Sequence, residues 1–273
     1  VTSRLRALRV VHPFPSFVNA ALVLALALIA DGGPIRAVAL SGAMLLLQFA
    51  IGIANDIADR DLDRATKPWK PVASGAVSLG AASIGLAAVV AGGLVTAVAF
   101  GPLVAALWLA MLACGLAYDF RLKPTPWAWV CYALAFALLP IYAWEGAAGS
   151  MPPRAEFLIP VAALAGPALQ IANGLIDLET DARAGLPTLV TRLGRRPALI
   201  LMGTLLALIY AAAWGSLAVN GPASSRLAVA AATALAALSV GLSAWDSPRA
   251  RAGGWTGQVL AIALLATGWL AAI

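Results

Sequence analysis

Residues 43–63, AMLLLQFAIGIANDIADRDLD, pass from an unbroken apolar run into Asn55, Asp56, Asp59, Asp61 and Asp63 within nine residues. Carboxylates are costly beside a lipid core, so both the fold and the function must account for this change of character. The apolar part is long enough, as a helix, to cross a hydrocarbon layer of roughly 30 Å. The polar part keeps a helical rhythm. Asn55, Asp59 and Asp63 stand four apart, so on a helix they form one stripe that advances about 40° per step. Asp56 and Asp61 are expected to point elsewhere.

The rest of the chain agrees with a membrane setting. Of its 273 residues 62% are hydrophobic and 11% are charged, with a mean hydropathy of +0.91. Soluble domains carry about 25% charged residues, and this chain has too few to cover itself with polar surface. Nine apolar stretches are predicted to span, near 14–30, 35–54, 79–99, 102–118, 127–144, 156–173, 198–218, 226–244 and 255–272. All are expected to be helices, because backbone groups in lipid must be satisfied within the segment. Fifteen Lys and Arg fall on the side of the N-terminus, against Arg36, Arg154 and Arg226 opposite. That asymmetry predicts a cytoplasmic N-terminus. Eight tryptophans, among them Trp69, Trp127, Trp144, Trp245 and Trp269, lie near span ends as in an interfacial belt, and Trp108 is mid-span. Cys114 and Cys131 sit in apolar runs and read as reduced core residues. The basic start has no small-residue cleavage site, so no cleavable signal is expected.

An offset of 122 residues lays QFAIGIANDIAD (48–59) over QIANGLIDLETD (170–181), matching Gln48 with Gln170, Asn55 with Asp177 and Asp59 with Asp181. Four predicted helices separate the two acidic clusters, so both emerge on one membrane face. The expected organisation is one domain over 1–273, built of two four-helix pseudo-repeats (about 1–122 and 123–244) with an extra helix at 255–272. Asp177 and Asp181 share a face, and Glu179 lies off it. Asn55, Asp59, Asp63, Asp177 and Asp181 are therefore read as one inward constellation.

Such a set repels itself unless cations lie among its members. All-oxygen ligands without Cys or His select a hard cation, Mg²⁺ first, which keeps positions open for substrate phosphates. Interleaved bases supply phosphate partners: Arg64, Lys67 and Lys70 after the first cluster, Arg183 and Arg192 after the second, Arg121 and Lys123 between. The expected ligand is a Mg²⁺-bridged diphosphate whose lipid tail lies among the helices. Asp61, Glu179, Arg195, Arg196, Arg249 and Arg251 read as solvated loop charges. His12 reads as a local interfacial residue. Asn19 and Asn173 are candidate acceptor or pocket residues, Asn173 because it stands one turn from Asp177.

These motifs carry a family resemblance. NDIADRDLD (55–63) followed by KPWKPVASG (67–75) resembles the first aspartate-rich motif of the UbiA superfamily of intramembrane prenyltransferases. DLETDARAGLPTLVTRLG (177–194) resembles the second, and YDFRLKPTP (118–126) resembles the tyrosine and basic-residue loop between helices 4 and 5. The resemblance covers nearly the whole chain. It implies Mg²⁺-dependent transfer of a prenyl group from a polyprenyl diphosphate to a small-molecule acceptor, catalysed by Asp59, Asp63, Asp177 and Asp181. By motif position, Asn55, Asp59 and Asp63 would hold one Mg²⁺ and Asp177 and Asp181 the second. Tyr118, Lys123 and a base of the 64–70 stretch would hold the diphosphate. Lys70 stands where many members have Arg, and keeps the charge without the bidentate fork. The eight-residue interval from Asp63 to Pro71 looks more like the chlorophyll-synthase, homogentisate and archaeal ether-lipid branches than the 4-hydroxybenzoate branch.

The alternatives are a UbiA-type intramembrane terpene cyclase, in which the ionised chain attacks itself, and, outside enzymes, a secondary transporter. The transporter's acids should lie near the bilayer midplane. Phe17, Phe49 and Trp108 are candidate aromatic faces for an allylic cation. The expected setting is an inner (plasma) membrane with the site facing the cytoplasm. The expected partners are the diphosphate, its acceptor and the bilayer, with no nucleic acid; acceptor, chain length and oligomeric state stay open.

Overall fold

The computed structural model describes residues 7–152, 156–217 and 221–272, which leaves Arg4, Arg6 and Arg154 of the charge count outside the described residues. It is all-helical among those residues. The long helices are α1 (Pro13–Ile29), α2 (Pro34–Ala58), α3 (Leu79–Val98), α4 (Pro102–Ala117), α5 (Ala128–Ala148), α6 (Leu158–Arg183), α7 (Arg195–Leu217), α8 (Ala223–Ser243) and α9 (Pro248–Leu270). Seven, α2 to α8, are long and apolar enough to cross a membrane. Helix α1 is a shorter apolar helix, and α9 opens with Arg249 and Arg251 in its first turn. Pro13, Pro34, Pro102 and Pro248 start their helices, where the missing N–H costs nothing and the fixed φ suits the first turn.

Several helices outrun the apolar stretches that predicted them, and three of these extensions carry charged residues that matter below. Helix α2 runs on to Ala58, α6 runs ten residues past 173, and α9 starts seven residues before 255. Hydropathy measures the lipid-facing length, whereas backbone hydrogen bonding continues into water wherever the side chains permit it. Asn55, Asp177 and Asp181 lie on these extensions, whereas Asp59 caps α2 and Asp63 follows on a separate short helix.

The chain divides into two compact units, Val1–Arg121 with Tyr142–Gly149, and Leu122–Ile141 with Ser150–Ile273. In the first, α2 packs on α1, α3 and α4. Leu40, Met44, Leu47 and Ile53 of α2 are buried with Val23 and Leu26 of α1. Trp108 is fully buried, and its Nε1 donates to the Ala43 carbonyl at 2.9 Å. A 3₁₀ turn, Leu8–Val11, lies directly on α2. The approach is so close that a Cβ on Gly52 would stand 2.9 Å from the carbonyl carbon of Val11. His12 follows in the left-handed region (φ 47°), immediately before Pro13 opens α1.

In the second unit α6 packs on α7 and α9, and α8 packs on the same two helices. Helix α9, expected outside the repeat, is part of this unit's core. Along the α8–α9 seam, Gly254 and Gly257 face Ser239 and Ser243. The two hydroxyls bond back to Leu235 and Ser239 carbonyls at 2.6 and 2.9 Å, the small-residue packing that lets helices approach in lipid. Cys114 and Cys131 are both reduced thiols. Trp69, Trp127 and Trp245 are exposed, but the belt reading fails for Trp144 and Trp269, which are buried. Trp269 lies inside because its Nε1 donates to Ser216 Oγ at 2.6 Å.

Candidate active site

The first acidic stripe forms as its spacing requires. After Ala58 the backbone turns through Asp59 into a short helix, Arg60–Thr66. The i→i+4 pattern continues across that junction: Asp59 N–H donates to Asn55 O at 2.9 Å, Asp63 to Asp59 at 2.7 Å and Lys67 to Asp63 at 2.8 Å. The chain then folds back in successive turns, with Lys70 N–H on Lys67 O and Ser74 N–H on Lys70 O. This return carries the Lys70 ammonium onto the stripe. Its Nζ lies 2.7 Å from Asp63 Oδ2, 3.1 Å from Asp56 Oδ1 and 3.9 Å from Asp59 Oδ2, and donates to Asn55 Oδ1 at 3.2 Å. Burial pushes the Asp63 carboxyl above the usual carboxylate range, against the hydrogen bond and charge of Lys70, while the neighbouring Asp59 charge adds to the rise.

Asp56 corrects the expectation that it points away. It is 1% exposed, and the same Oδ1 that meets Lys70 lies 3.1 Å from His12 Nε2. His12 is thus tied to the acidic cluster, across 44 residues of sequence. A second residue unanticipated from sequence is Asp119, buried on a π-helical turn, Tyr118–Leu122. Its Oδ1 accepts from Asn55 Nδ2 at 2.9 Å, so the Asn55 amide is held from both ends. Such turns, one residue wider than an α-helical turn, occur frequently at functional sites. The available signal was the acid next to Tyr118.

Of the predicted diphosphate partners, Lys70 reaches the stripe. Arg64 is exposed and donates to the exposed Asp61 at 3.0 Å. Lys67 and Tyr118 are half-buried, Arg121 is exposed and Lys123 is half-buried. Asn19 bonds within its own helix, Nδ2 to the Pro15 carbonyl at 3.1 Å.

The second pair, Asp177 and Asp181, lies in the last turns of α6, and both are half-buried, as is Asn173 one turn earlier. Glu179 is exposed on the other side but is not merely solvated. Arg251 of α9, expected in a loop, is 2% exposed and donates to Glu179 Oε2 at 2.8 Å and to the Leu175 carbonyl at 2.6 Å. The loop reading failed because α9 begins before Arg251 and turns it inward. Arg195 is clipped to Asp246 and the Ala244 carbonyl.

Among the described residues no three His, Cys, Asp or Glu side chains converge as a metal cage. Mg²⁺ does not require one, since it is usually held by one or two carboxylates together with water and substrate phosphates. Each stripe offers two carboxylates, the first with an amide, and all donors are oxygen. The first already gathers an ammonium among those oxygens. The residues fit a hard divalent cation that shares its shell with a phosphate.

Comparison with known proteins agrees with this chemistry. The model of the UbiA prenyltransferase family matches residues 17–256. The digeranylgeranylglyceryl phosphate synthase of Methanoregula boonei is 31% identical over 230 residues, covering 81% of this chain and 82% of the relative. A solved UbiA homologue from Archaeoglobus fulgidus bound to GPP and Mg²⁺ aligns with a TM-score of 0.73 at 20% identity, over 98% of this chain and 100% of that one. One from Aeropyrum pernix K1 gives 0.72 at 18%, over 93% and 96%. At these identities the likeness to the two structures is one of fold.

Proposed function

This integral membrane protein belongs to the UbiA prenyltransferase family, and from that premise we propose that it ionises a Mg²⁺-bound polyprenyl diphosphate at its acidic stripes and passes the prenyl group to a small-molecule acceptor. The transporter alternative falls away with membership of an enzyme family. The observation that carries the reading is the Lys70 ammonium seated among Asn55, Asp59 and Asp63 oxygens, a place built to hold positive charge. Asn55, Asp59 and Asp63 hold one Mg²⁺, and Asp177 and Asp181 hold the second. When bound, Mg²⁺ stabilises the negative charge that grows on the leaving diphosphate as the allylic C–O bond breaks.

The protein's own groups do the rest. Lys70 turns its ammonium to the diphosphate oxygens, with Lys67, Tyr118, Arg121 and Lys123 as further contacts and Arg64 able to leave its surface pair with Asp61. Asp56 and His12 orient Lys70, and Asp119 orients the Asn55 amide. The apolar helices keep water from the allylic cation. The site faces the cytoplasm. A relative named for a glyceryl phosphate product and the short interval between Asp63 and Pro71 make a glycerol-phosphate-type acceptor the first to supply.

The test is diphosphate release by the purified protein in nanodiscs, with geranyl, farnesyl and geranylgeranyl diphosphate, with and without Mg²⁺. Products are identified by mass spectrometry. Release that needs Mg²⁺ and is lost in Asp59→Asn and Asp181→Asn, with both variants folded, is expected. A hydrocarbon formed without acceptor would replace transfer by cyclisation. Full activity in either variant would remove that carboxylate from the machinery.

A further inference from the structure

We infer that Arg251 is a positioning residue for the second acidic pair, gripping α6 from behind so that Asp177 and Asp181 keep the orientation a cation requires. This rests on the proposal that the pair holds a divalent cation. The two contacts of Arg251 fall on Leu175 and Glu179, four residues apart on α6 with Asp177 midway between them. On a helix of about 100° per residue, Leu175 and Glu179 stand about 160° around from Asp177. Asp181 is about 40° from Asp177. The guanidinium therefore holds the face opposite the one that carries the acids.

Stability alone is a poor reason for this arrangement. The guanidinium is 2% exposed, and its desolvation offsets much of its attraction to the exposed Glu179 carboxylate. Its planar fork does something an apolar side chain does not. One arm fixes a backbone carbonyl, hence the helix itself, and the other arm fixes a side chain one turn further on. Together they restrain both the roll and the slide of the last turns of α6. They also balance the charge of Glu179 on that face. Groups that hydrogen-bond a metal ligand directly change metal affinity by about 10- to 100-fold when removed, and Arg251, which acts through the helix, belongs at the lower end.

The experiment uses the full chain in nanodiscs, with Asp59→Asn and Asp63→Asn as background so that only the second pair is read. Mn²⁺ with inorganic diphosphate is titrated and followed by electron paramagnetic resonance, in parallel with thermal unfolding. Arg251→Gln is expected to weaken Mn²⁺ binding about tenfold. Arg251→Lys and Glu179→Gln should fall between it and the background, and Arg195→Gln, which breaks a different ion pair of the same unit, should leave binding unchanged. If Arg251→Gln does not fold, Glu179→Gln decides, because it leaves the Leu175 contact intact. Unchanged Mn²⁺ affinity in these variants, with or without a lower melting temperature, would make Arg251 merely structural and overturn the inference. If the background binds no Mn²⁺, while the same chain with Asp59 and Asp63 intact does, the cation role of Asp177 and Asp181 falls, and this inference with it.

Discussion

Replacing Lys70 with methionine keeps the apolar stem and removes only the charge, leaving Asp56 and Asp63 buried without their cation. At 2.7 Å from Asp63 and 3.1 Å from Asp56, each contact has a gross Coulomb attraction of about 5 to 6 kcal/mol at an effective dielectric of about 20. Desolvation of the three groups offsets much of it. Breaking a buried pair by removing one partner costs about 3 to 5 kcal/mol, and the 17% exposure of the Lys70 side chain favours the lower end. The expected loss is about 3 kcal/mol, a drop in melting temperature of about 6 to 12 °C for a chain of this size. The assay is thermal unfolding in detergent with a chelator present, then with Mg²⁺. Lys70→Met should melt well below the parent in chelator and gain more from Mg²⁺, because the cation takes over the same oxygens. Asp56→Asn added to Lys70→Met should recover part of the loss. A Lys70→Met protein that melts with its parent in chelator would refute the reasoning.

Three further outcomes are expected. Gly52→Ala should destabilise by about 1 to 3 kcal/mol through its clash with the Val11 carbonyl, against about 1 kcal/mol of helix propensity favouring Ala; a rise in melting temperature would mean that the 3₁₀ turn yields freely. Trp108→Ala should cost about 3 to 5 kcal/mol, and Trp108→Phe about 1 kcal/mol for the bond to Ala43, both read by thermal unfolding. Because the Asp63 carboxyl titrates above its ordinary range in the folded protein, its contribution to stability is present below that range and lost as pH rises through the folded value. In chelator, Asp63→Asn should therefore gain melting temperature relative to its parent as pH rises through the acid range, and a difference that does not change with pH would contradict the assignment.

Helix content and the 55/59/63 stripe were legible because each depends on local order. Apolar length marks a span, proline marks a helix start, and a four-residue spacing marks a face. Asp56, Asp119 and Arg251 were not legible, because their roles depend on what other segments bring. Asp56 stands about 100° off the stripe on its helix, and only the return of Lys70 and the turn at His12 join it to the cluster. Asp119 needed the π-helical turn. Arg251 was misread because α9 starts ahead of its apolar run, where hydropathy gives no sign of a helix. Arg64 shows the opposite failure: it is close to the cluster in sequence, but its side chain turns to Asp61.

The unbroken backbone pattern from Asn55 through Asp59 and Asp63 to Lys67 has an evolutionary consequence. The register of the oxygen donors belongs to the helix, so exposed Leu62 is free to drift through most helix-forming residues, and Ile57 through apolar ones that still pack against Ile53, Val72 and Ala82. A single inserted or deleted residue between 55 and 63 would swing every later donor by about 100° and disperse them at once. This segment should be permissive in composition and rigid in length, and lineages should diverge here by substitution and almost never by indel.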